Sequence, residues 1–129
     1  MRTLIHALKA IADPNRLRIL LALRDRSLCV CQMVALLELA PSTVSKHLAV
    51  LDHAGFIQAQ KEGRWIFYRR VGREAPVEVR RLTALMDRLA SASLQTAKDQ
   101  KRLAKLLQSK REDLCGRYYA SKAATVSSL

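Results

Sequence analysis

The chain has 129 residues, half of them hydrophobic and only 5% aromatic, enough for one domain but not comfortably for two. That balance suits Leu/Ala/Val-packed helices and argues against an all-β barrel. Lys and Arg number 23 against 11 Asp and Glu, a net charge of +12 that favours a polyanionic partner, nucleic acid ahead of an acidic membrane.

Residues 3–12 read as a first helix, with Leu4, Leu8 and Ile11 on one face. Asp13 as an N-cap and Pro14 at the first helical position start a second helix, expected to run to about Arg24. Ser27 is expected to cap a third helix reaching about Glu38. Leu39-Ala40 is a short turn, and Pro41-Ser42 opens a fourth helix that ends near Ala54, where Gly55 is free to take positive φ. The period then changes. Phe56–Gln60 and Arg64–Arg69 hold β-branched and aromatic residues around a Lys61-Glu62-Gly63 turn, the pattern of a two-stranded hairpin. After Pro76 an apolar stripe of Val79, Leu82, Leu85, Met86 and Leu89 marks a long helix. The stripe weakens over Ala90–Ser93 and returns at Leu103, Leu106 and Leu107, which fits either one helix or two. The predicted fold is mainly α with a small β-hairpin, a winged helix-turn-helix. Its DNA-binding and dimerisation domain spans 1–95, and 96–129 form a C-terminal helical extension and flexible tail.

No run approaches the roughly 18 apolar residues of a membrane span. The first nine residues are interrupted too soon for an apolar signal core. A cytoplasmic setting with no membrane partner is therefore expected. Cys29, Cys31 and Cys115 then read as thiols or ligands more readily than as structural disulfides.

The fourth helix has the chemistry of a recognition helix. Ser42, Thr43, Ser45, Lys46 and His47 offer small hydroxyls, a cation and an imidazole to phosphates and base edges, while Val44, Leu48 and Leu51 keep the opposite side apolar. Taken alone, Ser and Thr at a helix start mean only capping; it is the arrangement with a following basic hairpin that points to double-stranded DNA. Lys61 and Arg64 at the hairpin tip suit phosphates or a minor groove.

Ala7–Leu20 (ALKAIADPNRLRIL), Leu28-Cys29-Val30-Cys31, Ser42–Leu51 (STVSKHLAVL) and Glu62–Arg69 (EGRWIFYR) together resemble the ArsR/SmtB family, in that family's order, over roughly residues 4–71. The resemblance implies a homodimeric winged-helix repressor, not an enzyme, that leaves operator DNA when an inducer binds. It also implies a dimer interface of the first and last helices, here Leu4 and Leu8 with Leu82, Leu85 and Leu89.

Thiolates two residues apart select soft ions. On an uninterrupted helix they stand about 200° apart, so one small ion can reach both only if the helix start unwinds or turns. Such a ligand would bend the helix that braces the recognition helix. In the resembled family this Cys-Val-Cys is the signature of arsenite- and antimonite-responsive members, which implies As(III) or Sb(III) as inducer with no permanent cofactor. The family's third cysteine, one turn after the second, is replaced here by Val34. Cys115 or an exogenous ligand is then left to complete the set. The family's zinc and cobalt sites would need acids and histidines on the last helix, whereas the three histidines here are His6, His47 and His53. An alternative within the same fold is a thiol redox or reactive-sulfur sensor.

Overall fold

The computed structural model describes residues 1–109. In chain order they form α1 (Arg2–Ile11), α2 (Pro14–Ala22), β1 (Leu28–Cys29), α3 (Val30–Leu37), α4 (Pro41–His53), β2 (Ile57–Glu62), β3 (Trp65–Arg70), α5 (Val77–Ala90) and α6 (Leu94–Gln108). The architecture is the expected winged helix-turn-helix, mainly helical with one small antiparallel sheet. The α3 and α4 axes meet at 113° across the turn Glu38–Ala40, as in a helix-turn-helix. Glu38 ends α3 in the left-handed region, at φ 56°.

α2 begins as expected. The Asp13 carboxylate accepts from the Asn15 and Arg16 N–H groups at 2.8 and 3.1 Å, satisfying two of the donors that a helix start leaves open. Two readings differ from expectation, and one left open is decided. Ser27 does not start the third helix. Leu28 and Cys29 are instead extended and pair with Tyr68 and Phe67 of β3, giving a three-stranded sheet of order β1-β3-β2 where two strands were expected. The pairing is non-local, so local helix signals could not reveal it. In the hairpin, Lys61 and Glu62 belong to β2, and the turn is only Gly63-Arg64, closed by the Glu62–Trp65 pair. Gly63 takes φ 61°, which suits the first central position of a type II′ turn. After α5 the chain breaks and a second helix follows. Ser93 caps α6 by accepting from the Thr96 N–H at 3.1 Å, and the Thr96 hydroxyl donates back to the Ala90 carbonyl at 2.7 Å.

The core lies among α2, α3, α4 and the sheet, where Ile19, Leu20, Leu28, Met33, Leu36, Val44, Leu48, Leu51 and Phe56 are almost wholly enclosed. Arginines tie the periphery to it. Arg18 of α2 makes a bidentate pair with Asp99 of α6 (2.9 and 3.1 Å), and Gln95 donates to the same carboxylate. Arg70 of β3 grips Asp87 of α5 with two 2.9 Å bonds and donates to the Leu20 carbonyl at 2.7 Å. Arg102 of α6 donates to the Leu36 carbonyl at the end of α3 and lies 3.3 Å from Glu38, so α6 braces the turn into α4.

Asp99→Ala leaves Arg18, a mostly buried side chain, without its carboxylate. Loss of charged hydrogen bonds of this kind costs about 1.5–3 kcal/mol, to be read as a lowered urea midpoint. Asp13 adds a pH signature. Burial pushes its carboxyl up, but the Arg16 and Asn15 backbone bonds and the charges of His47 and Arg16 outweigh it and hold the group below its ordinary value of 3.8. A folded-state value below the unfolded one gives stabilisation that is complete above the unfolded value and is lost as pH falls through the folded one. Asp13→Asn keeps an acceptor without the charge, so the stability gap between wild type and variant should narrow as pH falls through 3.8 and below. A gap unchanged by acid would contradict this.

Candidate nucleic-acid interface and thiol cluster

α4 separates its residues by face. Val44, Leu48 and Leu51 are buried, Ser42, Ser45 and Lys46 are exposed, and Thr43 and His47 are half-buried. Ala40 occupies the N-cap position and no side chain caps the helix. The Ser42 and Thr43 hydroxyls are therefore not spent on capping, the reading that Ser and Thr at a helix start ordinarily carry. His47 Nδ1 lies 3.3 Å from the Arg16 guanidinium, which also donates to the carbonyls of Ala10 (2.6 Å) and Lys9 (3.3 Å). Arg16 thus joins the end of α1 to the exposed side of α4, a contact across 31 residues that nothing in the local sequence signals. Lys61 and Arg64 are exposed on the hairpin. The Arg64 guanidinium carbon stands 4.7 Å from the centroid of the Trp65 ring, within cation–π range.

The cysteines sit at the junction of helix and sheet. Cys29 is the N-cap of α3, at φ −86° and ψ 165°, and its N–H donates to Gln32 Oε1 at 2.9 Å in a capping box. Because Cys29 has left the helix, the angular separation of an uninterrupted helix does not apply to the pair. Cys29, Cys31 and Phe67 form a buried cluster, with Ala35, Trp65 and Leu106 packed against it. Cys31 is disulfide-bonded, where the sequence reading expected a thiol or ligand. Cys115 lies outside the described residues. Among the described residues no group of three His, Cys, Asp or Glu side chains is placed to hold a metal ion. His6 and His53 bring their rings to 5.3 Å, a juxtaposition of α1 with the end of α4 that sequence reasoning missed. It missed Phe67, Trp65 and Leu106 around the cysteines as well. The available signal was the alternation of Trp65 and Phe67, which puts both on one face of a strand.

The apolar stripe of the first and penultimate helices divides in two. Leu82 packs against the core, whereas Leu4, Leu8, Leu85 and Leu89 are exposed, Leu89 by 72%, on helices that pack against each other within one chain. No single helix among the described residues is long and apolar enough to cross a membrane.

Residues 13–59 match the bacterial regulatory protein, arsR family. An uncharacterized HTH-type transcriptional regulator of Methanocaldococcus jannaschii is 46% identical over 61 residues, covering 46% of this chain and 68% of that protein. The arsenic resistance transcriptional regulator ArsR1 of Pseudomonas putida is 42% identical over 62 residues, covering 47% of this chain but only 48% of the relative. Among solved structures, reduced HlyU of Vibrio cholerae aligns with a TM-score of 0.59 and 35% identity, over 68% of this chain and 88% of that one. The sequence resemblance, the helix-turn-helix with its wing and these matches agree: the chain belongs to the ArsR family, whose members are transcriptional regulators and not enzymes.

Proposed function

We propose that the protein is a homodimeric repressor that binds operator DNA and is released when As(III) or Sb(III) binds Cys29 and Cys31. The observation that carries this reading is the position of the cysteine pair: at the start of the helix that supports α4, and hydrogen-bonded through β1 to the wing strand. Likeness to an arsenic resistance regulator of Pseudomonas putida supports the choice of ion. Ser42, Thr43, Ser45, Lys46 and His47 read the major groove, and Lys61 and Arg64 hold the adjacent backbone or minor groove. The exposed Leu4, Leu8, Leu85 and Leu89, with Leu82 beneath them, form the two-fold interface. Isologous pairing through it would set two recognition helices on successive turns of DNA.

Thiolates are the ligands of a thiophilic ion, so the pair is competent only after the disulfide at Cys31 is reduced. Cys115 supplies a third sulfur, or an exogenous thiol or hydroxide does. The ion draws Cys29 and Cys31 together and thereby pulls on two elements at once, the first turn of α3 and the β1–β3 pairing. A ligand that prefers this rearranged form by a few kcal/mol depopulates the DNA-competent one. The disulfide favours one second reading, a redox sensor of the same fold in which oxidation at Cys31 itself changes DNA affinity.

Fluorescence anisotropy of the reduced protein on DNA upstream of its own gene, titrated with arsenite, with zinc and with an oxidant, separates the readings. Arsenite should release the reduced protein, Cys29→Ser and Cys31→Ser should abolish release, and Cys115→Ser reports on the third ligand. Release by oxidant alone, with arsenite inert, would give the redox reading precedence. Lys46→Ala should weaken binding to all sequences and flatten the slope of log affinity against log salt by about one. An unchanged slope would remove Lys46 from the phosphate contacts.

A further inference from the structure

A continuous chain of contacts runs from the cysteine cluster to the tip of the wing. Cys29 stands opposite Phe67 in the β1–β3 ladder. Residues opposite each other in an antiparallel pair share a face, and Trp65, two residues before Phe67, points the same way. Trp65 accordingly packs against the Cys29–Cys31–Phe67 cluster while its indole carries the Arg64 guanidinium at 4.7 Å. Arg64 lies in the two-residue turn at the tip of the wing, beside Gly63, and is exposed. An arginine on so short a turn has many rotamers. A fixed indole beneath it removes some of that freedom before DNA arrives, which lowers the entropy lost on binding. The same side chain packs against the cluster that holds both cysteines. A rearrangement of Cys29 or Cys31 must move Phe67 or Trp65, since packed side chains leave little room to absorb a shift.

We propose that Trp65 is a positioning residue that aims Arg64 at DNA and ties it to the cysteine cluster, so that the wing, and not only the recognition helix, is an output of the switch. The inference rests on the DNA-binding reading above, and deepens it by naming the element that answers to the cysteines. It holds for any event at the pair, whether ion binding or a change at the disulfide.

The test is a double-mutant cycle on operator affinity with Arg64→Gln and Trp65→Leu. Trp65→Leu keeps an apolar plug but removes the ring face. Each single variant should weaken binding about two- to fivefold, the range expected of an exposed cation–π contact, and the double variant little further. The salt slope should flatten in Trp65→Leu although that residue carries no charge, a change that a purely structural role would not produce. Cys31→Ser is then added to each background. It should alter operator affinity in the wild-type wing and lose that effect in Trp65→Leu. Trp65 is the single tryptophan of the chain, so its emission reads the cysteine end without DNA and should shift in Cys31→Ser. Additive Arg64 and Trp65 effects, an equal Cys31→Ser effect in both backgrounds, or unchanged emission would each overturn the proposal. Failure of the functional reading looks different: no specific DNA binding, or an intact cycle with no response to arsenite or oxidant.

Discussion

Two residues of strand join the helix-turn-helix of this molecule to its wing. Leu28 and Cys29 pair with Tyr68 and Phe67, and through that pairing the start of α3 is fixed to the middle strand of the sheet. Leu28 is fully buried under the pairing, and the Gln32 side chain closes the Cys29 N–H that β1 leaves at the helix start. A backbone donor left open in so buried a place would cost about 1–3 kcal/mol, so the capping box and the ladder support each other. Had α3 begun at Ser27, the cysteines would stand on a helix facing only α4. With β1 present they face the wing as well.

In the proposed switch, this changes how the cysteine pair would act. A switch confined to α3 would have to bend a helix of eight residues braced on its far end by Arg102 and Glu38. That brace ties the turn into α4 to α6. The wing is a two-stranded ribbon beyond Phe67, and its tip turns on Gly63 and Arg64 alone. Both elements contact DNA in the proposed complex, and loosening either lowers affinity.

The charge of the chain divides between two roles. Arg18, Arg70 and Arg102 are held by carboxylates and carbonyls that link α6, β3 and α5 to the core, and Arg16 joins α1 to His47. Lys46, Lys61 and Arg64 are exposed on the helix and hairpin proposed to meet DNA. A net +12 is thus a poor count of phosphate contacts, because guanidiniums also supply the planar donor forks that bind carboxylates bidentately.

Much of this was legible in the sequence because it depends on neighbours in the chain. The Asp13-Pro14 start of α2, the small turn before Pro41, the split apolar and polar faces of α4, and Gly63 in the hairpin turn are all local choices. The cysteine pair and the hydroxyl-rich start of α4 could be picked out by residue type. Tertiary structure decided what depends on distant partners. It turned Leu28–Cys29 from a helix start into a strand, because a β3 edge some 40 residues away offered hydrogen bonds that the two residues could take. It divided the last helical stretch at Ser93, where Thr96 could reach back to Ala90. It also gathered Phe67, Trp65 and Leu106 around the cysteines. Periodicity reports which face of an element is apolar; which other faces it meets is fixed only when the elements pack.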